Sequence, residues 1–146
     1  MPRHTYVGSC HCGNLALELK SDKTPDELKV RADGCSFCRK HHAVYVSDPD
    51  GFAQLFVREE RSLQRYRFGT KTADFLICRV CGVFAAAYVE EPALAVVNVS
   101  VLDARDRFLV NPPLVVDLGG ESLPERVARR RVKWTPVVSF DLHYSP

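Results

Sequence analysis

Six cysteines carry the chemistry most readily read from this chain. They fall into three close pairs: Cys10-His11-Cys12, Cys35-Ser36-Phe37-Cys38 and Cys78-Arg79-Val80-Cys81. Cysteines that serve only as small buried hydrophobes have no reason to pair repeatedly at such spacings. In a reducing compartment, closely spaced thiols read as metal ligands or redox groups rather than disulfides. Zinc is a borderline-soft ion that favours thiolates, and a structural site takes four ligands in a tetrahedron. A Cys-x-x-Cys turn brings two sulfurs to one ion while its backbone N–H groups can point at sulfur. Gly13 and Gly82, each just after the second cysteine of a pair, are free to take positive φ. A thioredoxin-like redox motif needs a strand-to-helix setting, and Gly-flanked pairs bounded by strands do not supply one. Spacing alone does not say which two pairs share an ion.

Other side chains are weaker candidates. His41 and His42 follow the middle pair directly and can complete a metal shell or serve as a base. The plainer reading is a polar turn into the next strand. His11 lies between two thiols and is expected to point outward. Arg39 and Lys40 adjoin the middle pair and are the better candidates for orienting an anion. Arg126, Arg129, Arg130, Arg131 and Lys133, beside Trp134, form a basic cluster that reads as the solvated face of a short helix. The acid pairs Glu59-Glu60 and Glu90-Glu91 read as strand ends.

The elements that must position these groups are mostly strands. Alternation with period two marks residues 14–20, where Leu15, Leu17 and Leu19 share a face. Tyr66 and Phe68 alternate with Arg65 and Arg67, and Val138, Phe140, Leu142 and Tyr144 alternate with polar residues near the C-terminus. Residues 93–101 are β-branched and continuous, as in a strand buried on both faces. Further strands are expected at 28–32, 43–47, 53–59, 75–78 and 83–89. Turn signals such as Asp48-Pro49-Asp50-Gly51 separate them, which points to an all-β domain. One helix is expected over 125–131, opened by the capping-box pattern Ser122-Leu123-Pro124-Glu125, with Leu123 and Val127 able to meet.

The 146 residues, with a net charge of +2 and 46% hydrophobic composition, suit a single domain. The near balance of charge argues against a nucleic-acid partner. The longest apolar stretch, residues 83–89, is too short for a membrane span. The start of the chain has no apolar signal region, so a cytoplasmic address is expected.

Three motifs in order, Gly8-Ser9-Cys10-His11-Cys12-Gly13-Asn14, Cys35-Ser36-Phe37-Cys38-Arg39-Lys40 and Cys78-Arg79-Val80-Cys81-Gly82, strongly resemble the glutathione-dependent formaldehyde-activating enzyme family, which includes centromere protein V. The resemblance covers about residues 6–101 and leaves 102–146 as a C-terminal extension. It implies a zinc-stapled all-β "β-tent" of short antiparallel strands, here with one short C-terminal helix. It implies a structural zinc on Cys10, Cys12, Cys78 and Cys81, and a second, catalytic zinc on the middle motif. The family's middle motif is Cys-x-Cys-x-x-Cys, and Asp33 stands at its first cysteine. The set Asp33, Cys35 and Cys38 is chemically adequate, since aspartate binds zinc at about 2.0–2.2 Å. A harder oxygen in place of a thiolate should leave the ion a stronger Lewis acid, and can preserve the site, retune it or make its zinc labile.

The activity implied is that of a carbon–sulfur lyase resembling S-(hydroxymethyl)glutathione synthase, which joins a thiol such as glutathione to an aldehyde. Arg39, Lys40 or a histidine would orient the anionic substrate. Two other readings stand beside it: a zinc-stabilised binding module without catalysis, and a redox sensor cycling at Cys35 and Cys38. The oligomeric state is left open.

Overall fold

In a computed structural model describing residues 2–146, eleven strands form one open mixed sheet. The strands are β1 (His4–Ser9), β2 (Leu15–Ser21), β3 (Arg31–Asp33), β4 (Tyr45–Val46), β5 (Phe52–Val57), β6 (Leu63–Tyr66), β7 (Asp74–Cys78), β8 (Phe84–Glu90), β9 (Ala93–Asn98), β10 (Leu114–Val116) and β11 (Thr135–Asp141). Helices α1 (Ser36–Lys40), α2 (Arg105–Phe108) and α3 (Leu123–Lys133) interrupt them. The sheet runs β1-β2-β5-β11-β9-β4-β3-β10 and branches at β9, which also pairs with β8 and through it with β7 and β6. The branch arises because β9 divides one edge: Leu94 and Ala95 pair with β11, while Val97 and Asn98 pair with β4. The all-β class expected from the alternating pattern is the class observed.

The main core lies on the face that β2 presents with Leu15, Leu17 and Leu19, packed with Leu55 and Val57 of β5. Leu19 is fully buried. Leu19→Ala should therefore cost about 3 kcal/mol, within the range for emptied core sites, and a urea titration reads that loss.

Several elements depart from the expected bounds. Two pairs are parallel rather than antiparallel, β10 with β3 and β11 with β5, because each partner returns to the sheet after a long connection. The C-terminal strand begins at Thr135, earlier than expected, and its register shifts between Val137 and Ser139. That irregularity turns Val138 outward, 59% exposed, while Phe140 and Leu142 still pack on the core. Val138→Ala should consequently change stability by less than about 0.5 kcal/mol. The expected strand at 28–32 pairs only from Arg31 onward, although Leu28 and Val30 are buried. Residues 99–101 form a 3-10 turn, opened by the Asn98 side chain accepting from the Ser100 N–H. Tyr66 ends its strand exposed and stacks with Phe68 and Phe37 instead of entering the core.

Helix α3 carries the expected capping box, Ser122 accepting from the Glu125 N–H and Glu125 from the Ser122 N–H. Leu123 and Val127 lie on its exposed side. Among the described residues no helix is long and apolar enough to cross a membrane.

Candidate metal centres and the adjoining cavity

The chain brings together the first and third cysteine pairs. Cys10 and Cys12 lie in the turn between β1 and β2, while Cys78 ends β7 and Cys81 lies in the turn that leads to β8. The four sulfurs all lie within 4.8 Å of one another, with 3.8 Å between Cys10 and Cys12 and 3.5 Å between Cys12 and Cys78. A tetrahedron with metal–sulfur bonds of about 2.3 Å separates its sulfurs by about 3.8 Å, so the donor set fits a tetrahedral ion. Both turns aim backbone donors at sulfur: the Leu15 N–H to Cys10 Sγ at 3.2 Å and the Cys81 N–H to Cys78 Sγ at 3.5 Å. Gly13 and Gly82 take the positive φ these turns require, +85° and +80°. His11 is exposed and turned away.

Burial pushes the Cys10 thiol up to about 12, and neighbouring thiols add to the effect. Burial also opposes ionisation of Cys81, yet the Cys12 and Val83 backbone groups hold it down at about 6. Four thiols this close cannot all ionise without a cation among them. The four thiols together offer the full donor set of a tetrahedral ion.

Asp33, Cys35 and Cys38 form a second group within the same 4.8 Å limit. Asp33 ends β3, and Cys35 caps the N-terminus of α1, its Sγ accepting from the Cys38 N–H at 3.2 Å. This corrects one expectation: the middle pair does sit at a strand-to-helix junction, with Cys35 as the cap and Cys38 inside a helix of only five residues. Asp33 Oδ1 accepts from the Cys35 N–H at 3.0 Å, which fixes the carboxylate beside the sulfurs. The buried Cys38 Sγ lies 3.0 Å from the Tyr45 hydroxyl. Burial raises the Tyr45 phenol, with Cys38 adding to it, and the hydrogen bond to Cys35 together with burial raises the Cys38 thiol as well. The hydrogen bond from Cys38 holds the Cys35 thiol down at about 7, against the effect of burial. His41 and His42 are exposed and join neither group of potential metal ligands; the His41 ring packs, tilted by 35°, against Phe37 with centroids 4.4 Å apart.

This second group opens on a partly enclosed cavity of about 170 Å³. Tyr45, Phe68 and Phe75 line the cavity together with Asp33, Cys35 and Cys38. Arg31, Arg126, Arg129, Arg130 and Trp134 line it as well, and this basic stretch forms an arginine wall. The basic cluster is thus not simply a solvated face: Arg131 and Lys133 are exposed, but Arg130 is only 8% exposed. Residues 126, 129 and 130 stand at i, i+3 and i+4 and share one helical face. That spacing was the available signal for this wall, whereas nothing in the sequence marked Arg31 or Tyr45. Arg39 and Lys40 lie on a separate, more open groove of about 750 Å³ that also reaches Asp33 and Cys38.

The family model for glutathione-dependent formaldehyde-activating enzymes matches residues 5–113. The chain belongs to that family. A crystal structure of a Rhodobacter sphaeroides protein, solved as a structural-genomics target, is 28% identical, with a TM-score of 0.57 over 75% of this chain and 99% of that one. The chain matches none of the curated proteins. The family match takes in both cysteine groups and Asp33 but stops short of α3 and β11, which begin at Leu123 and Thr135. Those two elements are nonetheless built into the fold, since β11 separates β5 from β9 in the sheet. The family match therefore spans both groups that could hold a metal, while the arginines of α3 lie outside it.

Proposed function

We propose that the protein catalyses the addition of a thiol to an aldehyde, and the reverse cleavage, in the manner of its family. The observation that carries this reading is the contrast between the two centres: one is saturated by four thiols, the other offers three donors and faces a cavity. Structural zinc sites are closed and catalytic ones keep an open position. Cys10, Cys12, Cys78 and Cys81 would hold a structural zinc, and Asp33, Cys35 and Cys38 a second one. Zinc held at the second set supplies Lewis acidity toward a thiol or a carbonyl oxygen.

The chain's own groups do the rest. The Tyr45 hydroxyl fixes the Cys38 sulfur, and the Cys35 N–H fixes the Asp33 carboxylate. Phe68, Phe75 and Trp134 give the cavity apolar surface that disfavours water. Arg39 and Lys40, exposed on the outer groove, would steer an anionic reactant inward. In the reaction the thiol sulfur forms a bond to the carbonyl carbon, and the carbonyl π pair moves to oxygen. The oxygen takes up the proton that sulfur gives up, so the product is a hemithioacetal and nothing is oxidised. A reducing cytosol, where both reactant and ligand thiols persist, suits this chemistry.

Exchange NMR of glutathione with formaldehyde tests the reading, with a protein-free blank because the uncatalysed addition is appreciable. The zinc-loaded protein should broaden the exchanging signals beyond the blank and carry two ions per chain. One ion per chain with exchange equal to the blank would favour a non-catalytic module.

A further inference from the structure

The arginine wall contains positive charge that the protein itself leaves without a counterion. Arg126 and Arg129 share Glu121, with Arg129 Nε 2.8 Å and Arg126 Nε 3.2 Å from its carboxylate. Among the described residues, neither Arg130 nor Arg31 has a carboxylate within ion-pair distance. Arg130 Nη1 donates to Thr72 Oγ1 at 2.8 Å, its guanidinium lies 5.0 Å from the centre of the Trp134 ring, and its buried Nε has no partner. Arg31 Nη2 donates to Ser47 Oγ at 3.0 Å. A buried, unneutralised guanidinium is costly unless something anionic completes it. Burial, with Arg126 and Arg129 nearby, depresses Arg130 to about 10.

We infer that this wall is a carboxylate subsite, and that the cavity takes a short-chain organic acid whose carboxylate sits among Arg31, Arg129 and Arg130 beside Trp134. The reactive end then lies at Asp33, Cys35 and Cys38; that part alone rests on the function proposed above. Three features select the class. Guanidinium groups bind carboxylates through paired, charge-assisted hydrogen bonds. Asp33 and Asp117 also line the cavity, which disfavours a dianion such as phosphate, while Phe68, Phe75 and Trp134 offer an apolar surface to a carbon skeleton. The volume of about 170 Å³ lies below the range of about 300–1,000 Å³ usual for larger ligands. A two- to four-carbon acid fits inside, whereas a tripeptide leaves most of its length outside. The carboxylate can belong to the aldehyde partner or to the thiol partner.

Trp134 is the chain's single tryptophan, so its fluorescence reports on this wall directly. The zinc-loaded protein should be titrated with glyoxylate, mercaptoacetate, acetate, acetamide and inorganic phosphate, with calorimetry in parallel. The carboxylates should give a saturable change and acetamide none. Arg130→Gln should weaken carboxylate binding at least about tenfold, with Arg130→Lys recovering part of it. Arg129→Gln provides the same comparison should Arg130→Gln fail to fold. Tighter glyoxylate than mercaptoacetate assigns the carboxylate to the aldehyde, and the reverse assigns it to the thiol; either order supports the subsite. Silence with every carboxylate, equal binding in folded Arg130→Gln, or phosphate binding more tightly than the carboxylates overturns it. The two proposals separate cleanly. Carboxylate binding without thiol–aldehyde exchange sinks the catalytic reading alone. Exchange with neutral formaldehyde and a neutral thiol as fast as with their anionic counterparts, and no response at Trp134, sinks the subsite alone.

Discussion

Cys78→Ser should yield no stably folded protein, while Cys35→Ser should fold almost normally. The difference follows from where the two groups sit. Cys10 and Cys12 close the β1–β2 turn at one end of the sheet path, and Cys78 and Cys81 close the β7–β8 turn on its branch. An ion shared by these thiols would therefore tie together parts of the chain that no strand pairing joins directly. Zinc bound to four-ligand peptide sites has an apparent free energy of about 10–16 kcal/mol, against about 5–15 kcal/mol for the whole stability of a domain. Cys78 is fully buried, so its replacement also leaves a harder hydroxyl among three sulfurs. Cys35, by contrast, is only half-buried on a cavity rim at the start of a five-residue helix. Far-UV circular dichroism and a chelator titration check both variants. Exhaustive chelation of the wild type should reproduce the Cys78→Ser result, and equal damage from the two substitutions would mean that the thiols are grouped differently.

What could be read in advance follows the range over which each signal acts. The alternation of Leu15, Leu17 and Leu19 is local and set by which face meets the core, so β2 and its burial were legible. The parallel return of β11 beside β5 depends on a partner more than seventy residues away, and no local pattern encodes it. The bulge that exposes Val138 is equally non-local in origin, because the strand must leave β9 and join β5 within seven residues. The cysteine spacings made ligation legible, but only the family resemblance grouped the first pair with the third. Helix α1 escaped notice because five residues carry no amphipathic period. The arginine wall was misread for another reason. Charged residues on a short terminal helix are usually solvated, and what makes Arg130 different is Trp134 and Thr72 closing over it from outside the helix.

Asp33→Cys and Cys35→Ser should move the second centre in opposite directions. Cys35→Ser removes one of three donors and should lower thiol–aldehyde exchange by at least about a hundredfold, in line with losses of 10–100-fold for perturbing even outer partners of a metal site. Asp33→Cys restores the thiolate usual in the family and should tighten metal retention at this centre by about tenfold or more, since softer ligands suit zinc better. That gain should come with weaker activation. A third thiolate donates more charge to the ion than the carboxylate does, so the acid limb of the pH–rate profile should move to higher pH. The carboxylate is held for this role by the Cys35 N–H at 3.0 Å, a bond that a cysteine at position 33 replaces only with a longer contact to sulfur. Chelator competition measures the first effect and the pH–rate profile the second. A variant that held metal more tightly and kept the wild-type profile would show that Asp33 does not set the reactivity of this centre.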